Sequence, residues 1–308
     1  MRLEGIHHIT AITGDAPRNV EFYAGTLGLR MVKKTVNQDD PTVYHLFYAD
    51  EKGSPGSDIT FFEYPGLGRG RAGAGMVHRI VWRVASDESL DFWTRRLDEA
   101  GVRTERGDGF LRFDDPEGLG LELRATGTSE PPLRASHPDV PAEHALLGFD
   151  GVRAYSADPA ASAGFLGDGL GFEEGSQGEW TARGEERGSF YGYDQAPAEG
   201  GLNGAGTVHH VAWASPMDEH DAWRERVAAA GGQVTPVIDR FYFKSIYFRE
   251  QSGVLFEIAT IGPGFTADEP LESLGEALSL PPNYKHLRDK LEEVLTPLPN
   301  PRGATTKQ

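Results

Sequence analysis

The chain has 308 residues, enough for two domains of about 150 residues each or one larger one. Acids outnumber bases 47 to 30, giving a net charge of −17, and this excludes a general nucleic-acid binder and disfavours docking on an anionic membrane. There is no cysteine, so disulfides, thiolate catalysis and cysteine-held metal sites are excluded, and any metal must be held by His, Asp or Glu. No run of about 18 apolar residues is present. The N-terminus, Met1-Arg2-Leu3-Glu4-Gly5-Ile6, has no apolar leader pattern, and the expected location is the cytoplasm.

In chain order, four segments open with a short apolar strand followed by a helical stretch that closes on glycine. The first runs through Ile6-His7-His8-Ile9-Thr10, then a predicted helix from Ala16 to Leu27, then Gly28. The second has Val77-His78-Arg79-Ile80-Val81-Trp82, a helix from Asp87 to Ala100, then Gly101. The third has Phe149-Asp150-Gly151-Val152-Arg153, a helix from Pro159 to Leu170, then Gly171. The fourth has Val208-His209-His210-Val211-Ala212-Trp213, a helix from Met217 to Ala230, then Gly231. Asp15, Asp87, Asp158 and Ser215 are the expected N-caps.

Three strands are predicted after each helix. In the first segment they are Arg30–Val36, Tyr44–Ala49 and Asp58–Tyr64; in the last they are Gln233–Ile238, Tyr242–Arg249 and Val254–Thr260. The unit is βαβββ, repeated four times. The expected organisation is an N-terminal domain of two modules over 1–127, a linker over 128–145, a C-terminal domain of two modules over 146–262 and a tail over 263–308. Within the tail, Tyr284–Leu295 reads as a surface helix with Leu287, Leu291 and Val294 on one side.

Four βαβββ units opening on a His-His strand, with a late Phe256-Glu257, resemble the vicinal oxygen chelate superfamily of glyoxalases, bleomycin-binding proteins and extradiol dioxygenases. Tyr44-His45-Leu46-Phe47-Tyr48-Ala49, Gly53-Ser54-Pro55-Gly56, Asp239-Arg240, Tyr247 and Gly264-Phe265-Thr266-Ala267-Asp268-Glu269 are most similar to the hydroquinone ring-cleaving dioxygenases. The resemblance implies an α+β fold of two domains with cup-shaped mixed sheets. It also implies a mononuclear Fe(II) held by His8, His210 and Glu257, with a small aromatic substrate and O2. Arg240 and Tyr247 match positions near the substrate, where Tyr247 would donate a hydrogen bond and Arg240 would steady a phenolate; Thr10 shares the face of His8.

In such a fold two modules make one cup, and the first and last strands of each module point side chains into it. Aligning the repeats puts His8, Arg79, Gly151 and His210 at the first-strand position. Counting five residues back from the matching glycine puts Phe61, Glu122 and Glu257 at the last-strand position, with no clear acid in the third module. Pairing the outer modules collects two histidines and a carboxylate, the facial triad of non-haem iron oxygenases. Pairing the inner modules collects Arg79, Gly151 and Glu122, which cannot hold a metal. One live cup and one dead cup are therefore expected, with the first and last modules meeting in space.

Strand alternation places His7 and His209 behind the ligands. Phe61 and Phe243 are the expected aromatic wall. Fe(II) and Mn(II) share this ligand set. The rival readings are catechol-type extradiol cleavage, a glyoxalase-like metal-dependent isomerase or lyase, and a metal-free small-molecule binding protein. Exposed sheet edges and the tail helix are compatible with a homodimer.

Overall fold

The computed structural model describes residues 1–176 and 178–302, so the tail is described as far as Arg302. Each segment contributes four strands. They are β1 (Ile6–Thr13), β2 (Arg30–Val36), β3 (Tyr44–Ala49) and β4 (Asp58–Glu63); β5 (Met76–Val84), β6 (Thr104–Gly107), β7 (Phe110–Asp114) and β8 (Gly120–Ala125); β9 (Phe149–Ser156), β10 (Glu173–Glu174), β11 (Glu179–Arg183) and β12 (Gly188–Gln195); and β13 (Val208–Ser215), β14 (Ile238–Asp239), β15 (Lys244–Arg249) and β16 (Leu255–Thr260).

These strands form two eight-stranded mixed sheets, an α+β arrangement. The first has the order β14-β15-β16-β13-β1-β4-β3-β2, and the second β10-β11-β12-β9-β5-β8-β7-β6. The outer modules therefore share one sheet and the inner modules the other. Each sheet is closed at its centre by one antiparallel pair, β1 with β13 or β5 with β9. All strands of the second sheet lie between Met76 and Gln195, so the second sheet is one continuous stretch of chain set between the two parts of the first.

The helices cover the outer faces. α1 (Ala16–Val20) starts on the Asp15 cap, whose carboxylate accepts from Arg18 N at 3.1 Å, and relaxes into a π-helical turn over Glu21–Thr26. Gly25 and the i→i+5 bond from Leu27 N to Phe22 O at 2.8 Å end the regular spiral that the sequence predicts as far as Leu27. The third segment has only a 3₁₀ turn, Pro159–Ser162, and a π turn, Phe165–Gly169; three glycines at 164, 167 and 169 explain the loss of helix. α2 (Asp87–Glu99) is capped by Ser86 rather than Asp87, which instead sits in the first turn where the helix dipole favours an acid. α3 begins at His220 and ends at Ala229; Ser215 does not cap it but remains in β13, its hydroxyl 3.2 Å from His220 Nδ1. Trp93 of α2 and Trp223 of α3 are fully buried in the main core.

Two buried carboxylates tie the sheets together. Asp115, in the turn between β7 and β8, accepts from the Tyr23 hydroxyl at 3.1 Å. Glu250, in the turn between β15 and β16, accepts from Tyr193 at 2.9 Å, Tyr191 at 3.2 Å and Ser162 at 2.9 Å.

The tail straps across the first sheet. Lys33 of β2 is fully buried, and its ammonium donates to Phe265 O at 3.1 Å, Asp268 Oδ1 at 2.8 Å and the Glu269 carboxylate. The amine also lies 4.8 Å from the centre of the Tyr242 ring. Burying a lysine is tolerable only when its charge is paired in this way. Beyond the strap, a 3₁₀ segment (Pro282–Leu287) leads into α4 (Arg288–Val294). Leu291 is buried there as expected, but Val294 is 56% exposed and Leu295 takes its place in the core. The Tyr284 hydroxyl donates to Gln38 O at 2.6 Å, bracing the loop after β2. The strand expected over Gln233–Ile238 shrinks to the two-residue β14. Among the described residues no helix is long and apolar enough to cross a membrane.

Candidate metal centre

The central strand pair sets the site. In the antiparallel register Thr10 lies opposite His210 and His8 opposite Ala212, so His8 and His210 are diagonal neighbours on one face. In the parallel pair β13–β16, Ala212 lies beside Glu257, which brings the carboxylate to the same spot. His8 Nε2 is 3.2 Å from His210 Nε2, and Glu257 Oε2 is 3.3 Å from the first and 2.9 Å from the second. All three side chains are buried.

The protons behind this cluster follow from one carbonyl. Thr260 O can only accept, so His7 Nε2, 3.1 Å away, carries a hydrogen. Burial, and then the neighbouring His8, lower the His7 pKa to about 3, so the ring is neutral and its Nδ1 is an acceptor. His8 Nδ1, 2.9 Å from that atom, must then donate, which leaves the His8 Nε2 lone pair facing His210 and Glu257. His210 has a matching partner, with its Nδ1 2.8 Å from His209 Nδ1. Such outer hydrogen bonds fix imidazole ligands in metal sites.

The Glu257 carboxylate is fully buried between these two imidazoles. Ser245 Oγ donates to Oε1 at 2.5 Å, while Oε2 is buried without an aligned hydrogen-bond partner. A buried orphan oxygen calls for a partner that the protein itself does not provide. Two imidazole nitrogens and that oxygen form a donor set suited to a first-row divalent cation.

The fourth position of the cup is not Phe61. Thr10 lies beside Thr60 in the parallel pair β1–β4, so Thr60 stands where Glu257 stands in the last module. Phe61 points to the opposite face, fully buried against Tyr23 with ring centres 4.6 Å apart. The count back from Gly66 fails because Tyr64-Pro65 contains one residue more than the matching stretch, and a shift of one reverses the face. Thr60 Oγ1 is 2.8 Å from Thr10 Oγ1 and 2.8 Å from His45 Nε2. Thr10 therefore does not line the cavity; it anchors Thr60, which in turn holds His45.

A cavity of about 340 Å³ opens above the cluster, lined by His8, His45, Phe47, Phe62, His209, His210, Arg240, Tyr242, Phe243 and Tyr247 among others. Phe243 lies where the sequence placed it, its ring centre 5.1 Å from that of His8. His45 went unrecognised in the sequence, although alternation along β3 puts it on the same face as Phe47. Its ring is packed between Phe47 and Phe62, and burial holds its pKa well below the usual value, so it is neutral. His7 lies behind the ligands as expected; His209 bonds His210 from behind but is also exposed at the cavity rim.

Arg240 bridges the outer modules. It makes a bidentate pair with Asp39, both contacts 3.1 Å, while Gln38 Nε2 donates to its carbonyl at 2.7 Å. Its Nε donates to the Tyr247 hydroxyl at 3.3 Å. The turn carrying Arg240 is held by Phe241 at φ 71°, a left-handed conformation unusual for a bulky residue and a common mark of functional loops. Burial raises the Tyr247 pKa, so the phenol stays protonated.

The second sheet has the same frame with other contents. Arg79 lies beside Gly120 and Gly151 beside Phe190, so Arg79, Glu122, Gly151 and Gly192 correspond to His8, Thr60, His210 and Glu257. No histidine enters this set, and Glu122 is taken by Arg112 and Arg124 at 2.8 and 3.0 Å. Among the described residues only His8, His210 and Glu257 form a cluster able to hold a metal.

The pattern of the Glyoxalase/Bleomycin resistance protein/Dioxygenase superfamily matches residues 5–123 and 148–258, and the chain belongs to that superfamily. Relatives of similar length sharpen the placement. The chain is 42% identical over 303 residues to a Bacillus subtilis protein named "Putative ring-cleaving dioxygenase MhqO", covering 95% of this chain and 96% of that one. It is 33% identical to the chlorohydroquinone/hydroquinone 1,2-dioxygenase of Sphingobium indicum, covering 94% and 95%. A B. subtilis crystal structure described as a "putative dioxygenase" superposes with a TM-score of 0.89 at 40% identity, covering 97% and 98%. Glyoxalase I from Zea mays shares the fold at a TM-score of 0.60 and 15% identity, covering 88% and 96%.

Proposed function

We propose that this chain is a non-haem Fe(II)-dependent dioxygenase that opens a hydroquinone-type ring with O2. The observation that carries the reading is the convergence of His8 Nε2, His210 Nε2 and Glu257 Oε2 beneath a cavity walled by phenylalanines. The names of the ring-cleaving relatives support it. Fe(II), or Mn(II), held by these three residues would acidify a substrate hydroxyl and exchange electrons with O2.

The protein's own groups do the rest. Phe47, Phe62 and Phe243 give a flat ring an apolar slot. The Arg240 guanidinium favours an anionic phenolate over a neutral phenol. Because Tyr247 accepts from Arg240 Nε, its own hydroxyl proton is free to be donated to an oxygen atom in the cavity. Thr60 in the fourth position provides no second carboxylate to carry a carbon-bound proton, which favours oxygenase over isomerase chemistry. The test is oxygen uptake with hydroquinone after anaerobic loading with Fe(II). Uptake with a ring-opened chromophore is expected, and His210→Ala should lose both the bound metal and at least about a thousandfold in rate. Stoichiometric metal without uptake on hydroquinone would sink the reading.

A further inference from the structure

The second cup is a cavity of about 750 Å³ that the proposed reaction does not use. We propose that it binds a small, flat organic carboxylate. Three arginines, Arg79, Arg112 and Arg124, converge on one carboxylate, Glu122, whose side chain is 1% exposed. Arg124 is shared with Asp150 at 3.4 Å, so Arg79 and Arg112 are the two whose nitrogens are left over. Arg112 uses only Nε on Glu122, leaving its two terminal nitrogens without a protein acceptor among the described residues. Arg79 is freer still: its nearest approach to Glu122 is 3.6 Å, and its buried Nε has no hydrogen-bond partner. A buried guanidinium nitrogen without an acceptor is costly, and a planar two-oxygen anion would relieve the cost.

The walls argue for an organic anion over an inorganic one. His78 and Tyr155 are stacked 3.9 Å apart at 8°, and the Arg112 guanidinium lies 4.3 Å from the Phe110 ring centre. Two acids of the lining are already engaged: Asp194 pairs with Arg153 and His78, and Glu179 with Arg153. Asp108 is the further acid on the lining. The ligand position is thus at Arg79 and Arg112, with the Phe110 ring as its flank. The residues are those of the dead cup, so the site stands whether or not the oxygenase reading does.

Titration calorimetry on the full chain with benzoate tests this, with benzamide as the uncharged counterpart and inorganic phosphate as the anion without a ring. One saturable benzoate site per chain is expected, weakened about tenfold or more by Arg79→Gln and by Arg112→Gln. Arg112→Lys and the thermal transition of each variant control for folding. Oxygen uptake by Arg79→Gln should stay at the wild-type rate, and benzoate binding should survive in His210→Ala. Absence of saturable binding, equal binding of benzamide or phosphate, or binding lost in His210→Ala and kept in Arg79→Gln would each overturn the proposal.

Discussion

His8 on β1 and Arg79 on β5 stand at the same place in two duplicated sheets, yet one belongs to a metal-type cluster and the other to an ion-pair cluster. Each cup buries a carboxylate at its base, Glu257 or Glu122. Glu257 sits between two imidazoles, and its Oε2 is buried without an aligned hydrogen-bond partner, so it keeps a lone pair to offer. Glu122 is surrounded by permanent cations, so its lone pairs are consumed. At the remaining positions, His210 and Glu257 correspond to Gly151 and Gly192, and a Cβ at Gly151 would come within 2.4 Å of the Phe190 ring. The strand frame therefore fixes where a side chain can converge, and the identity of the neighbours decides whether it coordinates, pairs or leaves room.

Replacing the base of the second cup should give the largest effect. Glu122→Gln leaves three arginines facing a neutral amide, and loss of about 3 kcal/mol is expected, near the low end for breaking a buried pair because the arginines are 24–34% exposed. Denaturant unfolding reads the loss, and oxygen uptake by the protein that remains folded should be unchanged. If uptake falls in step with stability, the two cups are not separate.

Tyr247→Phe sharpens the other side. Metal content should stay at the wild-type level while kcat falls about a hundredfold, the usual cost of one well-placed donor. A wild-type kcat would remove Tyr247 from the chemistry.

The smallest effect is a change of slope with pH. Hydrogen bonding from Arg153 lowers the Asp194 pKa from 3.8 to about 2. Its folded-state pKa is depressed, so its contribution is present above about 3.8 and is lost as pH falls through about 2. Stability measured between pH 4 and pH 2 should fall less steeply in Asp194→Asn than in the wild type.

Much of this was legible in the sequence. The four modules followed from repeated strand-helix punctuation, which reports local structure directly; the α+β class and the superfamily came from the resemblance carried by the His-His strands and the late Phe256-Glu257, and the meeting of first and last modules from collecting two histidines and a carboxylate in one cup of that fold. His8, His210 and Glu257 were reached by aligning repeats, which works because register is preserved where β1 and β13 pair. The same arithmetic failed at Phe61, since one inserted residue before Gly66 reverses the face of a strand. His45 was missed because only first and last strands were aligned, although parity with Phe47 would have shown it. The π turns at Glu21–Thr26 and Phe165–Gly169 escaped because apolar spacing does not register how glycine loosens a helix. No local pattern announces the bidentate bridge between Asp39 and Arg240, 201 residues apart.

The nested order of the sheets has a consequence for how the molecule is made. Translation delivers β5 to β12 as an unbroken run, so the arginine cup can assemble while the chain is still growing, whereas β1 must wait for β13 and β16 to emerge. At a synthesis rate of about 5–20 residues per second, His8 spends on the order of ten seconds or more before Glu257 exists. A nascent chain stalled before β13 would carry one of the three cluster residues, and one stalled before β16 two of them. The wiring of the strands thus delays completion of the His8, His210 and Glu257 cluster until more than four-fifths of the polypeptide has been made.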